Sequence, residues 1–257
     1  MKSLALMLTV LSMSFTAAAF ARLGEVTGSF PAPGNQIRGM ARSDIRLFVI
    51  NYGSTTFVYR VSPVNGSSYG SWATSFSNKC SGLAYAAEGH VWVGCYENNR
   101  VYDCKALTGS VYRYWSAGHE PYGAAAYCTS DGGVGTTAIL TSDSAPSYCW
   151  RHNMLNGSIL SSFPLATASN CDIAWDQRNK VVWQGSNPNI VYGYNTAGSL
   201  VASFTVPGQY PRGLAYYGQY LWVGCDGNDR IYKVHCPGDL TSGVSPASFG
   251  NVKALFH

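Results

Sequence analysis

Charge is scarce in this chain: Asp, Glu, Lys and Arg make up only 12% of its 257 residues. The basic residues are scattered rather than gathered into a patch, which argues against a nucleic-acid partner. Cys-x-x-Cys and His-x-x-x-His spacings are both missing, so the usual zinc signatures are absent and no metal or cofactor is expected. The oxygen-rich stretch Asp226-Gly227-Asn228-Asp229 lacks the length and terminal Glu of a calcium loop and reads as a turn. There is no low-complexity segment, no linker and no long apolar run beyond the N-terminus. One domain without membrane insertion is therefore expected, and a monomer.

The N-terminus has its own character. Lys2, the apolar run after it and the small-x-small triplet Ala19-Phe20-Ala21 form the pattern of a signal peptide over residues 1–21. Cleavage near Ala21 leaves a mature chain from Arg22 in a secreted or periplasmic setting, with formal charge +3 once Lys2 is gone. No Cys lies beside the cleavage site, so a lipid anchor is not expected. All eight Cys fall in the mature chain, and an even number in an exported protein favours disulfides.

What remains is aromatic and glycine-rich, with aromatics at 14% and 28 Gly. That is poor helix material and good material for sheets and turns. Four columns recur. The first is a Gly followed six residues later by a large aromatic: Gly24/Phe30, Gly66/Trp72, Gly109/Trp115, Gly157/Phe163, Gly198/Phe204 and Gly243/Phe249. These aromatics are spaced 42, 43, 48, 41 and 45 residues apart. The second column carries Ala two positions into a short run, at Ala41, Ala84, Ala125, Ala174 and Ala215. The third reads LFV, VWV, AIL, VVW and LWV, and the fourth ends on Tyr59, Tyr102, Trp150, Tyr192 and Tyr232.

Four short β-rich runs per period of this length make a four-stranded propeller blade. A twisted four-stranded sheet cannot bury both faces alone and must stack on its neighbours. The Gly-x-Ala run would be innermost, where strands crowd the axis, and the aromatics would fill the widening wedge between blades. Asn65-Gly66 and Asn156-Gly157 would turn the third strand into the fourth; both also match the glycan acceptor pattern, but the turn is the preferred reading. The expected fold is thus an all-β propeller over residues 22–257. Its repeats span about 24–65, 66–108, 109–156, 157–197 and 198–242, and an extra strand falls within 243–257. Five blades are favoured, with residues 25–30 closing the blade begun at 213; six with one incomplete is the alternative.

Pairing Leu83 with Trp92 sets a hairpin register that also brings Cys80 opposite Cys95, so a disulfide is expected there. The same register in the last repeat gives Cys225 the partner Pro211, so the device is not repeated.

The residues GLAY, LWVG and RIYKV, followed elsewhere by GSLVASF, resemble the repeats of secreted bacterial β-propellers of the NHL-like, YVTN-like and glutamine-cyclotransferase-like groups. The resemblance covers nearly the whole mature chain and is specific for fold. Relatives of the cyclotransferase and streptogramin-lyase kind would imply catalysis by acidic or His residues at one mouth of the ring, sometimes with a divalent metal. No such set matches here residue by residue, so no catalytic residue is carried over.

Loops from an outer strand to the next inner strand should meet, at one mouth, the loops joining second and third strands. The first set offers Asn35, Gln36, Arg38, His119, Glu120, Tyr122, Asn170, Asp172, Gln209, Tyr210 and Arg212. The second offers Glu97, Asn98, Asn99, Arg100, Asn187, Asn189, Asp226, Asn228, Asp229 and Arg230. His119 and Glu120 could be an acid/base pair, with Arg38 and Arg212 clamping an anion. The opposing reading makes these solvated loop residues, with Asp and Asn chosen for turn geometry. Asp172 replaces the Gly of the other four copies. Its carboxylate would either enter the central channel or accept hydrogen bonds from backbone donors at the strand start, the second being preferred. Among aromatics, Tyr96, Tyr122 and Tyr210 lie outside the packing columns and are available to a ligand. The irregular third repeat, residues 128–150, is where a specific function would most easily sit. The expected role is binding or scaffolding of a protein, peptide or glycan; an enzyme with its site at the ring mouth is the rival.

Overall fold

The computed structural model describes residues 22–77, 79–144, 147–165, 171–238 and 240. They form five antiparallel four-stranded sheets arranged in a ring. Blade 1 comprises Ile37–Arg42, Leu47–Asn51, Phe57–Val61 and Ser68–Ala73. Blade 2 comprises Cys80–Ala86, His90–Cys95, Arg100–Lys105 and Val111–Ser116. Blade 3 comprises Gly123–Tyr127, Ala138–Ser142, Tyr148–Asn153 and Ile159–Pro164. Blade 4 comprises Ile173–Asp176, Val181–Ser186, Ile190–Asn195 and Leu200–Thr205. Blade 5 takes Pro211–Tyr217, Tyr220–Cys225 and Arg230–His235 from the C-terminal part of the chain and Val26–Pro31 from its start. The five-bladed reading, closed by the N-terminal strand, is therefore the observed one. The sixth Gly/aromatic pair and the expected strand within 243–257 lie outside the described residues, as does the expected signal peptide.

The Gly/aromatic column is explained by contact between blades. A Cβ on Gly66 would stand 2.4 Å from the ring of Phe30, and one on Gly109 would stand 2.3 Å from the indole of Trp72. Each glycine thus receives the outer-strand aromatic of the preceding blade, and both adopt positive φ in their turns (74° and 72°). Gly24 completes the cycle: its Cβ would meet Phe204 of blade 4 at 2.7 Å, so the first residues dock where a fifth blade's turn belongs. Trp92 and Trp183 in the second strands are fully buried in the wedges.

The inner strands crowd the axis. A Cβ on Gly39 would lie 1.9 Å from the Ser81 carbonyl oxygen, and one on Gly123 would lie 2.9 Å from the Asp172 Cα. Three inner strands carry a bulge at their first turn of register, at Arg38, Ser81 and Arg212. In blade 2 the hairpin pairs Leu83 with Val93 and Ala84 with Trp92, one step from the sequence-based register. The bulge at Ser81 makes up the step, so Cys80 does face Cys95 and the two form a disulfide. Pro211 faces Cys225 for the same reason. Cys104, Cys128, Cys149, Cys225 and Cys236 are buried thiols, and burial pushes Cys104 and Cys225 up to about 12.

The insertion of blade 3 occupies residues 128–137 and carries a short 3-10 turn, Asp131–Gly133. Gly133 accepts a bond from the Ala87 amide of blade 2 (3.2 Å), and the Cys128 carbonyl accepts one from the Trp175 indole of blade 4 (2.9 Å). Asp131 is held by Gln177 and, at 3.5 Å, by Arg178. The turn thereby spans one end of the central channel.

Candidate functional site

Asp172 closes the other end of that channel. It is fully buried, and its carboxylate accepts from the amides of Met40 (2.8 Å), Ala124 (3.0 Å) and Leu214 (3.1 Å), in the inner strands of blades 1, 3 and 5. Its own neighbour Ile173 supplies a further backbone bond. One carboxylate therefore ties four of the five inner strands together. Only one of the five equivalent positions can carry it, because a single side chain fills the axis; the other four are the glycines. Burial pushes this carboxyl well above the ordinary carboxylate range, against the opposing pull of its amide donors. Between Asp172 and the Asp131–Gly133 turn lies a cavity of about 40 Å³, lined by inner-strand residues of all five blades, among them Met40, Leu83, Ala124, Ile173 and Leu214. That is room for about three waters, not a substrate.

The mouth outside Asp172 is where the loops predicted from sequence gather. Two register columns build its rim. One is the start of each inner strand and holds Arg38, Ser81, Tyr122 and Arg212; the other follows each second strand and holds Tyr52, Tyr96 and Asp226. The bulges at Arg38 and Arg212 turn these side chains out of the ladder alternation. Both guanidiniums approach Asp226, at 3.9 Å and 3.7 Å, with all three side chains about one-fifth exposed. Arg38 also lies 5.2 Å over the Tyr52 ring and Arg212 5.9 Å over Tyr210. Tyr96 stacks on Tyr122 with ring centroids 4.5 Å apart. Burial first, then the neighbouring Tyr52 hydroxyl, pushes Tyr96 up to about 12. Burial and then Glu120 raise Tyr122. Both phenols are neutral at physiological pH, available as hydrogen-bonding groups and not as bases.

Other predicted mouth residues serve the turns. Asn99 and Asp229 adopt left-handed φ of 55° and 47°. Asn98 donates to the Tyr102 hydroxyl (2.8 Å) and Asn228 to the Tyr232 hydroxyl (2.7 Å), the same brace in blades 2 and 5. Asp229 accepts from the Gln36 amide (3.2 Å), and Glu97 pairs with Lys79 (3.4 Å). Arg100 lies over Tyr114 on the outer strand, and Arg230 donates to Ser29. Asn170 lies outside the described residues.

His119 and Glu120 do not form a pair. His119 stacks against Trp150 and His152, with Nε2 2.8 Å from the Thr141 hydroxyl, while Glu120 is exposed and adjoins Tyr122. The Nδ1 of His152 faces the Gly157 carbonyl at 3.0 Å and so carries the proton there; its Nε2, 3.0 Å from Thr141, accepts in the neutral ring. Burial, then His152, pushes His119 down to about 4, and burial lowers His152 as well. Tyr52 was not singled out from the sequence. Its signal is positional: it follows its second strand as Tyr96 and Asp226 follow theirs. Among the described residues, no group of three or more His, Cys, Asp or Glu is placed to hold a metal ion.

No protein-family model matches the chain, and no curated protein matches its sequence. Its fold is similar to that of a solved β-propeller. The crystal structure of the Myxococcus xanthus glutaminyl cyclase superposes with a TM-score of 0.66, covering 84% of this chain and 97% of that one at 12% identity. At that identity the likeness speaks for the propeller alone.

Proposed function

We propose that this protein is a secreted binding module whose ligand face is the mouth built by Tyr52, Tyr96, Tyr122, Arg38, Arg212 and Asp226, and that its partner is a protein or peptide segment. The observation that carries this reading is the chemistry of the rim. It concentrates Tyr and Arg, the residue types that dominate binding hot spots, around one ion cluster. The reading is supported by the titration of the neighbouring groups: the Tyr96 and Tyr122 phenols are raised, His119 is lowered and turned to Thr141, and the Cys225 thiol is raised. The disulfide suits an oxidising compartment, and no helix of the described residues is long and apolar enough to cross a membrane. The four backbone amides gathered on the Asp172 carboxylate floor the mouth, which suits a partner lying across the end of the ring.

Peptide and glycan arrays probed with the mature protein and its Tyr122→Ala and Arg38→Ala variants test this. The expected result is retention of peptides that each variant weakens about tenfold or more, the loss of one hot-spot contact. Retention of glycans alone would replace the partner class. Retention indifferent to both variants, or conversion of an N-terminal glutaminyl peptide with release of ammonia, would overturn the reading.

A further inference from the structure

At the opposite end of the ring, the seam between blades 5 and 1 holds two cations around one indole. The Arg42 guanidinium lies 5.3 Å from the Trp222 ring centre and 4.7 Å from that of Tyr217. The Lys233 ammonium lies 3.7 Å from the Tyr220 ring centre and 5.7 Å from that of Trp222. Arg42 donates to two backbone carbonyls, of Asp44 (2.7 Å) and Arg46 (3.2 Å), while its buried Nε has no hydrogen-bond partner among the described residues. No described carboxylate comes within 4.0 Å of either cation; the nearest in sequence, Asp44, is exposed and acts on Arg42 only at longer range. Burial pushes Arg42 down to about 10; Lys233 is only partly buried, and its own desolvation and then the neighbouring Arg42 charge lower it, so the ammonium stays open to solvent while the two cations repel.

Blade 2 shows what the fold does when the same place is neutralised. The third-strand residue facing the wedge Trp is Lys233 in blade 5, opposite Trp222, and Asp103 in blade 2, opposite Trp92. There Arg113 lies 5.2 Å from the Trp92 ring centre, and the buried Asp103 carboxylate takes both Arg113 (3.0 Å) and His90 (2.6 Å). In blade 5 the carboxylate position carries a second cation instead. Aromatic faces offset part of the desolvation of such a pair, but they do not remove its like-charge repulsion.

We propose that the Arg42–Lys233 seam is an oxyanion-binding site, taking a phosphate or sulfate group, either free or borne on an anionic polysaccharide. The anion supplies the negative charge that Asp103 supplies internally in blade 2. The site is separate from the tyrosine-lined mouth, with the Asp172 plug and the channel between them.

Titration of inorganic phosphate into the mature protein, followed by 31P line broadening and by the thermal midpoint, tests the site. The expected result is saturable binding and a rise in midpoint. Lys233→Met keeps the stem over Tyr220 and should weaken phosphate binding about tenfold or more, as loss of a charged hydrogen bond does. The exposed Lys105→Met should leave it unchanged. Lys233→Asp should raise the midpoint in phosphate-free buffer and abolish the phosphate response, because it recreates the arrangement of blade 2. Retention on a sulfated polysaccharide column, lost in Lys233→Met, assigns the polymer as the source; a phosphate response without such retention assigns the small ion. Equal phosphate responses in wild type and Lys233→Met, or no stabilisation by Lys233→Asp alongside them, would overturn the proposal.

Discussion

Asp172 is the residue on which the ring turns. Its sequence signal was a single departure from Gly in a column of five, and of the two placements open to it both are met: the carboxylate stands on the axis and there accepts backbone donors. Asp172→Asn keeps the shape but turns an NH₂ group toward amides that need an acceptor. We expect a loss of about 2–4 kcal/mol in urea unfolding, the scale for leaving buried backbone donors without an acceptor. A variant as stable as wild type would show that water can replace the carboxylate. The two histidines beside Thr141 make a second prediction at this scale. Both have pKa values below the ordinary 6.5, so unfolding takes up protons once the pH drops below that value. The stability they contribute is complete above pH 6.5 and is lost as pH falls toward about 4, by up to one proton per histidine. His152→Gln should flatten that slope when unfolding is measured at pH 7, 6 and 5; an unchanged slope would place the titration elsewhere.

Among elements, the second blade carries the disulfide found among the described residues. The Cys80–Cys95 bridge joins the ends of its first hairpin, with a sequence separation of 15. For a loop of about that length, reduction should cost ~3 kcal/mol, or roughly 6–12 °C in midpoint for a domain of this size. Calorimetry with and without reductant checks this, and a shift that persists in Cys80→Ser would assign it to another site. The pairing could be read from the sequence, yet the path to it could not. It needed the bulge at Ser81, which no composition signal marks. The equivalent bulges aim Arg38 and Arg212, which is why these two were found as loop residues but their meeting with Asp226 was not. In the third repeat the irregular stretch was visible; its placement across the channel was not, since it depends on Asp131 reaching blade 4 and Gly133 reaching blade 2.

For the whole molecule, the architecture was legible because ring closure imposes one demand on every blade. Each third-to-fourth-strand turn must yield to the aromatic of the blade before it, and the Gly/aromatic column records that contact five times among the described residues, with Gly24 on Phe204 closing the cycle. The mouth was legible only by location. Turn residues such as Asn99, Asp229 and Asn228 look as polar as Asp226 in the sequence, and only register separates the braces from the side chains of the rim. The most direct test of a mouth that binds and does not react is hydrogen–deuterium exchange of the mature protein with and without the tightest arrayed peptide, with the peptide's mass measured afterwards. We predict protection confined to segments 36–40, 51–57, 95–100, 119–123, 209–213 and 226–230, and a peptide recovered unchanged. Protection centred instead on 42–46 and 176–181, or a peptide recovered as a product, would contradict it.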